Sequence, residues 1–249
     1  MMKTSNPFLP SNTFSNAGYL SDRSEAMTIQ GTIFKTALAL LLTLLTAGFT
    51  WIKFYQSGSN PASISGYMMV GVLGGLVLAI ATAFKKEWAP ITTPIYALLE
   101  GLFIGGISAI MEGAFPGIAI QAAGLTFGTL AAMLVLYQSG IIPVTQNLKM
   151  GIFAATGGIA IVYLSTLVLS LFGVQVPAIY GNGWMGILFS LVVVGIAALN
   201  FILDFDFIEQ GARQNAPRYM EWYGAFALLV TLIWLYVEFL RLLSKLRSR

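Results

Sequence analysis

The most prominent pattern along the chain is a series of seven long apolar runs separated by short polar segments. The runs are continuous and lack the alternation of polar and apolar positions that marks barrel strands, so they predict helices. In chain order they cover residues 32–54, 65–84, 89–111, 117–138, 151–172, 183–206 and 221–243. At about 1.5 Å of rise per residue, each helix can span a hydrocarbon core of about 30 Å. The pattern therefore predicts an all-α integral membrane protein with seven transmembrane helices.

Composition supports this prediction and removes several classes of chemistry. Hydrophobic residues make up 57% of the 249 residues and charged residues only 9%, against about 25% charged residues in soluble domains. The absence of Cys and His excludes disulfides, zinc or iron–sulfur ligation, and catalysis by a Ser-His or Cys-His pair. The net charge of +3 is small, so no nucleic-acid partner is expected. We expect no enzymatic activity and no cofactor. Oxygen ligands remain available, so Ca²⁺ is an ion that the protein could bind or transport.

The segment before the first apolar run differs in composition from the rest of the chain. Residues 1–28 are rich in Ser, Asn and Pro and lack the short apolar core of a cleaved signal peptide. We interpret 1–28 as a flexible N-terminal tail, with the first helix acting as the insertion signal. Residues 29–249 then form a single transmembrane domain, whose short loops make consecutive helices neighbours.

Basic residues in the short loops predict the orientation of the helices, because Lys and Arg favour the cytoplasmic side. A cytoplasmic N-terminus places on the inner side Lys3, Arg23, Lys35, Lys85, Lys86, Lys149, Arg213 and Arg218. The outer side then holds Lys53 but also the basic end of the last segment, with Arg241, Lys245, Arg247 and Arg249. We predict a cytoplasmic N-terminus and leave the C-terminal side open. The last segment either stops short of crossing or is wrapped by the other six.

Glu100 lies in the middle of the third apolar segment. It is about eleven residues from either end of that segment, which corresponds to roughly 16 Å from each membrane face. A charged carboxylate at that depth costs about 2.5 to 3.5 kcal/mol on insertion scales. Two interpretations remain open. Glu100 is either a protonated acid that bonds to a hydroxyl of another helix, or a group that handles protons or cations.

A second group of acidic residues lies between the sixth and seventh segments and consists of Asp204, Asp206, Glu209 and Glu221. Three carboxylates within six residues repel one another when ionised, so a proton or a hard cation would stabilise them. This favours a proton-sensitive gate or an ion site, with Asp204 and Asp206 as candidate Ca²⁺ ligands. The alternative is a solvated helix end that Arg213 and Arg218 neutralise.

Glu238 and Arg241 are the charged residues inside the last apolar segment. Their spacing of three residues places them on one face of a helix, where they can form an internal ion pair near a membrane face. The other interpretation is that they line a pathway for ions. Polar groups at this depth need protein or water around them.

Small residues recur at a spacing of four in three of the segments. The pairs are Gly71 and Gly75, Gly101 and Gly105, and Gly124 and Gly128. Such spacing lets helices approach closely in a membrane, and the ordinary interpretation is helix packing. The alternative is a site at which the backbone moves.

Several stretches together resemble one known family. These are LDFDFIEQG, APRYMEWYGAFALLVTLIWLYVEFLRLLSKL, ALLEGLFIGGIS and FPGIAIQA. They are similar to the bacterial YccA-like branch of the Bax inhibitor-1 family, also called the transmembrane Bax inhibitor motif family. The resemblance covers nearly the whole chain after the tail, and the block from residue 200 to 245 is long and specific.

The resemblance implies a compact bundle of seven helices with the last helix at its centre. It also implies a pH-dependent calcium leak, in which an aspartate of the sixth helix and one of the seventh share a proton and close the pore. The sixth-helix aspartate falls on Asp204, or with a shifted register on Asp206. The seventh-helix position falls near Thr231, which cannot ionise. The remaining candidate pairs join Asp204 or Asp206 to Glu221 or Glu100.

We therefore predict a pH-sensitive cation leak channel, with calcium as the expected ion, in the bacterial inner membrane. Protonation of the acidic residues on helices 3 and 6 and in the 6–7 loop would gate it. The alternative is a non-conducting protein that modulates a membrane-anchored protease or a stress-response complex. Some bacterial relatives are associated with such a protease, and the tail 1–28 could serve as its handle.

Overall fold

The computed structural model describes residues 5–6, 9–10, 26–173, 179 and 181–248. Its seven long helices are α1 (Ile29–Gln56), α2 (Ala62–Phe84), α3 (Ala89–Ala114), α4 (Ile118–Gln138), α5 (Gln146–Leu171), α6 (Trp184–Arg213) and α7 (Met220–Arg247). A 3₁₀ turn at Lys86–Trp88 leads into α3, and the short strands β1 (Ser5–Asn6) and β2 (Leu9–Pro10) form an antiparallel pair. All seven helices are long and apolar enough to cross a membrane. The predicted fold class, an all-α bundle of seven transmembrane helices, is confirmed.

Threonine caps fix the starts of two helices and explain why both begin earlier than predicted. Thr28 precedes α1 and accepts a hydrogen bond from the backbone N–H of Gly31 at 2.9 Å. Thr145 does the same for Leu148 at 3.2 Å. Each cap satisfies a backbone donor that lacks a partner inside the helix. Because α5 starts at Gln146 instead of residue 151, Lys149 belongs to a helix and not to a loop.

The acidic end of the sixth segment is helical. The sequence predicts the end of this segment at residue 206, but α6 continues to Arg213. The chain then reverses at Asn215, which has a left-handed backbone with φ of 50°. Asp206 and Glu209 therefore project from a helix and contact neighbouring helices. Such contacts allow the helix to continue past three carboxylates.

The last helix forms the core of the bundle. It packs against α1, α3, α4 and α6, and its fully buried side chains include Tyr223, Leu229, Leu235 and Leu240. A helix that is buried on most of its faces needs apolar residues all round, which the run from residue 221 to 243 supplies. The predicted central position of the last helix is confirmed.

The basic end of α7 lies at the membrane face opposite to the start of α1. Arg247 donates to the carbonyl oxygen of Pro116, between α3 and α4, at 2.8 Å. Lys245 is buried and donates to the Gly186 carbonyl and the Ser190 hydroxyl at the start of α6, both at 2.9 Å. The last helix is therefore long and apolar enough to cross the membrane, and it is enclosed mainly by α1, α3, α4 and α6. Its terminal cations are bound to oxygens of the protein itself.

The residues just before α1 belong to the folded bundle. The amide of Met27 donates to the carbonyl of Ala216 at 2.7 Å, and Ala26 forms a β-bridge with Pro217. Ala26 and Met27 are both buried. Of the predicted tail 1–28, residues 1–4, 7–8 and 11–25 lie outside the described residues, whereas the segment from Ala26 to Thr28 is held against the α6–α7 loop.

The three glycine pairs differ in their surroundings. A Cβ atom on Gly105 would lie 2.6 Å from the Cα of Ala47 in α1, and one on Gly71 would lie 2.6 Å from the carbonyl oxygen of Leu99 in α3. The backbones of α1, α2 and α3 thus approach at these glycines, as the packing interpretation predicts. The α4 pair, Gly124 and Gly128, is exposed and would meet nothing within 4 Å.

Candidate functional site

Asp204 is the acidic residue that lies deepest among the described parts of α6. Its side chain is 4% exposed and accepts a hydrogen bond from the Thr231 hydroxyl of α7 at 2.6 Å. Within the described structure no Lys or Arg forms an ion pair with it. Tyr223 of α7 is the titratable side chain in its surroundings. A buried carboxylate without a cationic partner is costly when ionised, so a proton or cation that reached Asp204 would offset an otherwise uncompensated charge.

Thr231 lies near the position at which the family resemblance places the second aspartate of a proton-sharing pair. The hydrogen bond to Asp204 brings the two positions into direct contact. In this chain the contact holds one ionisable group and one hydroxyl. The pair therefore carries at most one negative charge. Repulsion between two ionised carboxylates cannot arise at this contact.

Asp206 faces a different neighbour from Asp204. It forms an ion pair with Lys149 of α5 and accepts a hydrogen bond from Gln210 at 2.5 Å. Two residues along a helix correspond to a rotation of about 200°, which explains why the two aspartates contact different helices. Among the described residues no three acidic side chains come together as a metal site. The two aspartates contact different helices, and the Ca²⁺ site at Asp204 and Asp206 stays a prediction.

The Lys149–Asp206 pair makes a testable contribution to stability. We expect Lys149→Met to lower the free energy of unfolding by about 2 kcal/mol, because it leaves Asp206 largely buried without its cation. Adding Asp206→Leu should recover most of the loss, since neither charge then remains. The measurement is unfolding of the purified protein in detergent micelles, followed by tryptophan fluorescence. A double variant as unstable as Lys149→Met alone would contradict this account.

Glu209 lies near the end of α6 and is partly exposed. It accepts hydrogen bonds from the hydroxyl of Tyr137 in α4 and from Arg213 at 2.6 Å. The Arg213 side chain is 75% exposed. This arrangement matches the solvated helix end that the sequence left open, with Arg213 as the neutralising residue. Glu209 does not contact Asp204.

Glu221 joins the start of α7 to the start of α1. Its carboxylate forms an ion pair with Lys35 and accepts hydrogen bonds from the backbone N–H and the hydroxyl of Thr28 at 2.9 and 2.8 Å. The side chain is 3% exposed. Among the described residues, every hydrogen bond of this carboxylate goes to α1 or its cap, and none joins Glu221 to Asp204 or Asp206.

Glu100 is half-buried and interacts with Tyr96, one turn earlier in α3. A Cβ atom on Gly75 would lie 2.6 Å from a Glu100 carboxylate oxygen, so the glycine of α2 makes room for this carboxylate. The Tyr96 ring packs at 5.1 Å from the ring of Phe226 in α7. In the described part of the chain Glu100, like Asp204, has no ion pair with Lys or Arg. The hydroxyl-bearing neighbour of Glu100 is thus a residue of its own helix.

Glu238 and Arg241 form an ion pair at 2.8 Å inside the bundle. Tyr163 of α5 completes the group, because its hydroxyl donates to Glu238 at 2.9 Å and accepts from Arg241 at 2.6 Å. Glu238 is 1% exposed, and its second carboxylate oxygen has no hydrogen-bond partner among the described residues. The group ties α5 to α7.

The structure therefore divides the six acidic residues discussed above into two classes. A first class has its own cation and consists of Asp206, Glu209, Glu221 and Glu238. The second class has no ion pair with Lys or Arg in the described structure and consists of Asp204, which is hydrogen-bonded to the Thr231 hydroxyl, and Glu100, which lies beside Tyr96. Sequence reasoning missed Lys149 and Lys35 as partners because it counted them as loop and interface charges. The available signal for Lys35 was its place at the start of the first apolar run, whereas Lys149 lies just before the predicted fifth run and joins its helix only because that helix starts at Gln146.

Comparison with known proteins assigns the family. A family model described as Bax inhibitor 1 like matches residues 6–248. No curated protein and no solved structure matches the chain. The match covers all seven helices, and together with their length and apolar character it makes the protein an integral membrane protein. The chain belongs to the Bax inhibitor 1 like family.

Proposed function

We propose that the protein is a pH-sensitive cation leak of the bacterial inner membrane, with Ca²⁺ as the expected ion and Asp204 as the gating group. The proposal includes a cytoplasmic N-terminus, no enzymatic activity and no cofactor. The observation that carries it is the burial of Asp204 at the α6–α7 contact without a cationic partner among the described residues. An ionisable group inside a membrane bundle is costly, and such groups mark ion or proton pathways.

The proposed gate works through the contact between Asp204 and Thr231. In the ionised form the carboxylate carries a charge that the Thr231 hydroxyl offsets only in part, so water or a cation is drawn between α6 and α7. In the protonated form no charge remains, and the two helices pack closely. We therefore expect conduction to increase as the pH rises. Tyr223 is the other titratable group facing this contact.

The other acidic residues have separate roles in this proposal. Glu100 is a second proton- or cation-handling group, because it also lacks an ion pair with Lys or Arg in the described structure. Asp206 and Glu209 hold α6 to α5 and α4. Glu221 holds α7 to α1. These three are structural rather than part of the pathway.

The test is Ca²⁺ flux into proteoliposomes between pH 6 and pH 8. We expect the wild-type flux to rise with pH by roughly tenfold, a typical coupling between two conformational states. Asp204→Asn keeps the shape of the side chain and removes its charge, so its flux should be the same at both pH values. Asp206→Asn is the matched control, two residues away, and should keep the pH response.

Two results would contradict the proposal. One is wild-type flux equal to that of protein-free liposomes at every pH. The other is an unchanged pH response in Asp204→Asn, provided that this variant elutes from size exclusion as the wild type does. Thr231→Val, which removes the hydroxyl and keeps the carboxylate, should conduct with an altered but present pH response.

The second candidate function is a non-conducting partner of a membrane-anchored protease or stress-response complex. It is favoured by the observation that three acidic residues, Asp206, Glu221 and Glu238, are paired with cations inside the bundle, as a static scaffold would have them. A co-purified membrane protease that is lost when residues 1–25 are deleted, together with no flux, would support this function over the first.

A further inference from the structure

A cleft runs between α1 and α4 and opens toward the surrounding lipid. Both helices pack on α7, and two cavities lie between them, with volumes of about 790 and 330 Å³. Leu40 of α1 lines both cavities, so they follow each other along the cleft. Volumes of this size are typical of small-molecule sites.

The larger cavity has the depth of one membrane leaflet. Along α1 it extends from Ile29 to Leu40, which is about 16 Å at about 1.5 Å per residue. This is about half of the hydrocarbon thickness of about 30 Å. Its walls include Leu130 and Leu134 of α4, and Phe205 of α6 is also among its lining residues. An apolar chain that enters the cavity at the start of α1 would therefore reach the middle of the membrane.

At the membrane face this cavity ends in polar side chains, and one of them belongs to an ion pair whose cation lies beside the cavity. Glu209 and the Tyr137 hydroxyl line it, and Arg213 binds Glu209 at 2.6 Å while remaining 75% exposed. The Glu209 carboxylate accepts these two donors and retains lone pairs for another, and Arg213 has further N–H donors. A ligand with a cation and an anion next to each other would match this pair.

We propose that the cleft binds one phosphatidylethanolamine molecule of the leaflet in which α1 begins. One acyl chain fills the larger cavity, the phosphate binds Arg213, and the primary ammonium donates to Glu209. Phosphatidylglycerol lacks the ammonium group, and phosphatidylcholine has a quaternary nitrogen without N–H donors. The headgroup contacts thus favour phosphatidylethanolamine over both. The inference does not depend on the proposed transport function.

The experiment is native mass spectrometry of the purified full chain after delipidation. Equal amounts of phosphatidylethanolamine, phosphatidylglycerol and phosphatidylcholine with identical acyl chains are added back. We expect one phosphatidylethanolamine per chain, preferred over the others by roughly tenfold, as one additional charge-assisted hydrogen bond would give. Equal retention of the three lipids, or a preference for phosphatidylglycerol, would overturn the choice of ligand.

Two matched variants test the place of binding. Leu134→Trp fills the cavity and should reduce the bound lipid by roughly tenfold. Val135→Trp is its control, because Val135 is the next residue of α4, is exposed and does not line the cavity. Wild-type lipid retention in a folded Leu134→Trp variant would overturn the site. If that variant does not fold, Leu130→Phe provides the same test with a smaller side chain.

A third variant tests the headgroup contact alone. Glu209→Gln keeps the cavity and removes the negative charge that would bind the ammonium. We expect it to bind phosphatidylethanolamine and phosphatidylglycerol equally, with total lipid retention close to that of the wild type. A preserved preference for phosphatidylethanolamine in this variant would show that Glu209 does not recognise the headgroup.

Discussion

Replacing Glu221 with alanine is expected to lower the free energy of unfolding by about 3 to 5 kcal/mol, the cost of removing one partner of a buried ion pair. The carboxylate is buried and pairs with Lys35, and it accepts two hydrogen bonds from Thr28. Its removal leaves a cation and a backbone N–H without their acceptor in a largely dry place. Equilibrium unfolding in mixed micelles measures the change.

Two further variants separate the parts of this effect. Glu221→Gln keeps a hydrogen-bond acceptor for Thr28 and loses the charge, so we expect a smaller loss than for alanine. Gly31→Ala should also destabilise, because a Cβ atom there would overlap the Glu221 carboxylate. The Gly31→Ala loss should largely disappear in the Glu221→Ala background. If Gly31→Ala destabilised the wild type and the Glu221→Ala variant equally, the proposed contact between Gly31 and Glu221 would be contradicted.

Replacing Gly105 with alanine is expected to lower the free energy of unfolding by about 3 kcal/mol, near the upper end of typical overpacking costs. The added methyl group would lie 2.6 Å from the Cα of Ala47. This neighbour is backbone and cannot rotate away, so α1 and α3 would have to separate. These two helices form an extensive contact in the bundle.

Gly128→Ala in α4 is the matched control for this prediction. It makes the same chemical change at a helical glycine with the same spacing motif, but nothing lies within 4 Å of the added atom. We expect a change within about 0.5 kcal/mol, as for an exposed site. If both variants were equally unstable, the loss would reflect glycine flexibility in general and not the α1–α3 contact.

The helices themselves could be predicted from the sequence because their signal is local. An apolar run long enough to cross the hydrocarbon core has few alternatives to a membrane-spanning helix. The central place of α7 followed from a family resemblance, and its continuous apolar surface agrees with it. The ends of the helices were predicted less accurately. For example, α6 continues past Asp206, where the composition suggests a loop.

The partners of the acidic residues could not be predicted because they depend on contacts between distant parts of the chain. Glu221 and Lys35 are 186 residues apart, and Asp206 and Lys149 are 57 apart. Spacing along a helix shows which residues share a face, but it does not show which helix that face meets. Asp204 and Asp206 form one cluster in the sequence for this reason, although they contact different helices in the structure.

The central position of α7 has a consequence for biosynthesis. The ribosome completes this helix after the four helices that pack against it. At a synthesis rate of about 10 residues per second, making α7 takes a few seconds. During that interval Thr28 has no Glu221 to bind and Asp204 has no Thr231. The newly inserted helices must wait with their inward polar groups uncovered, so an insertase that shields those groups would be most needed at this stage.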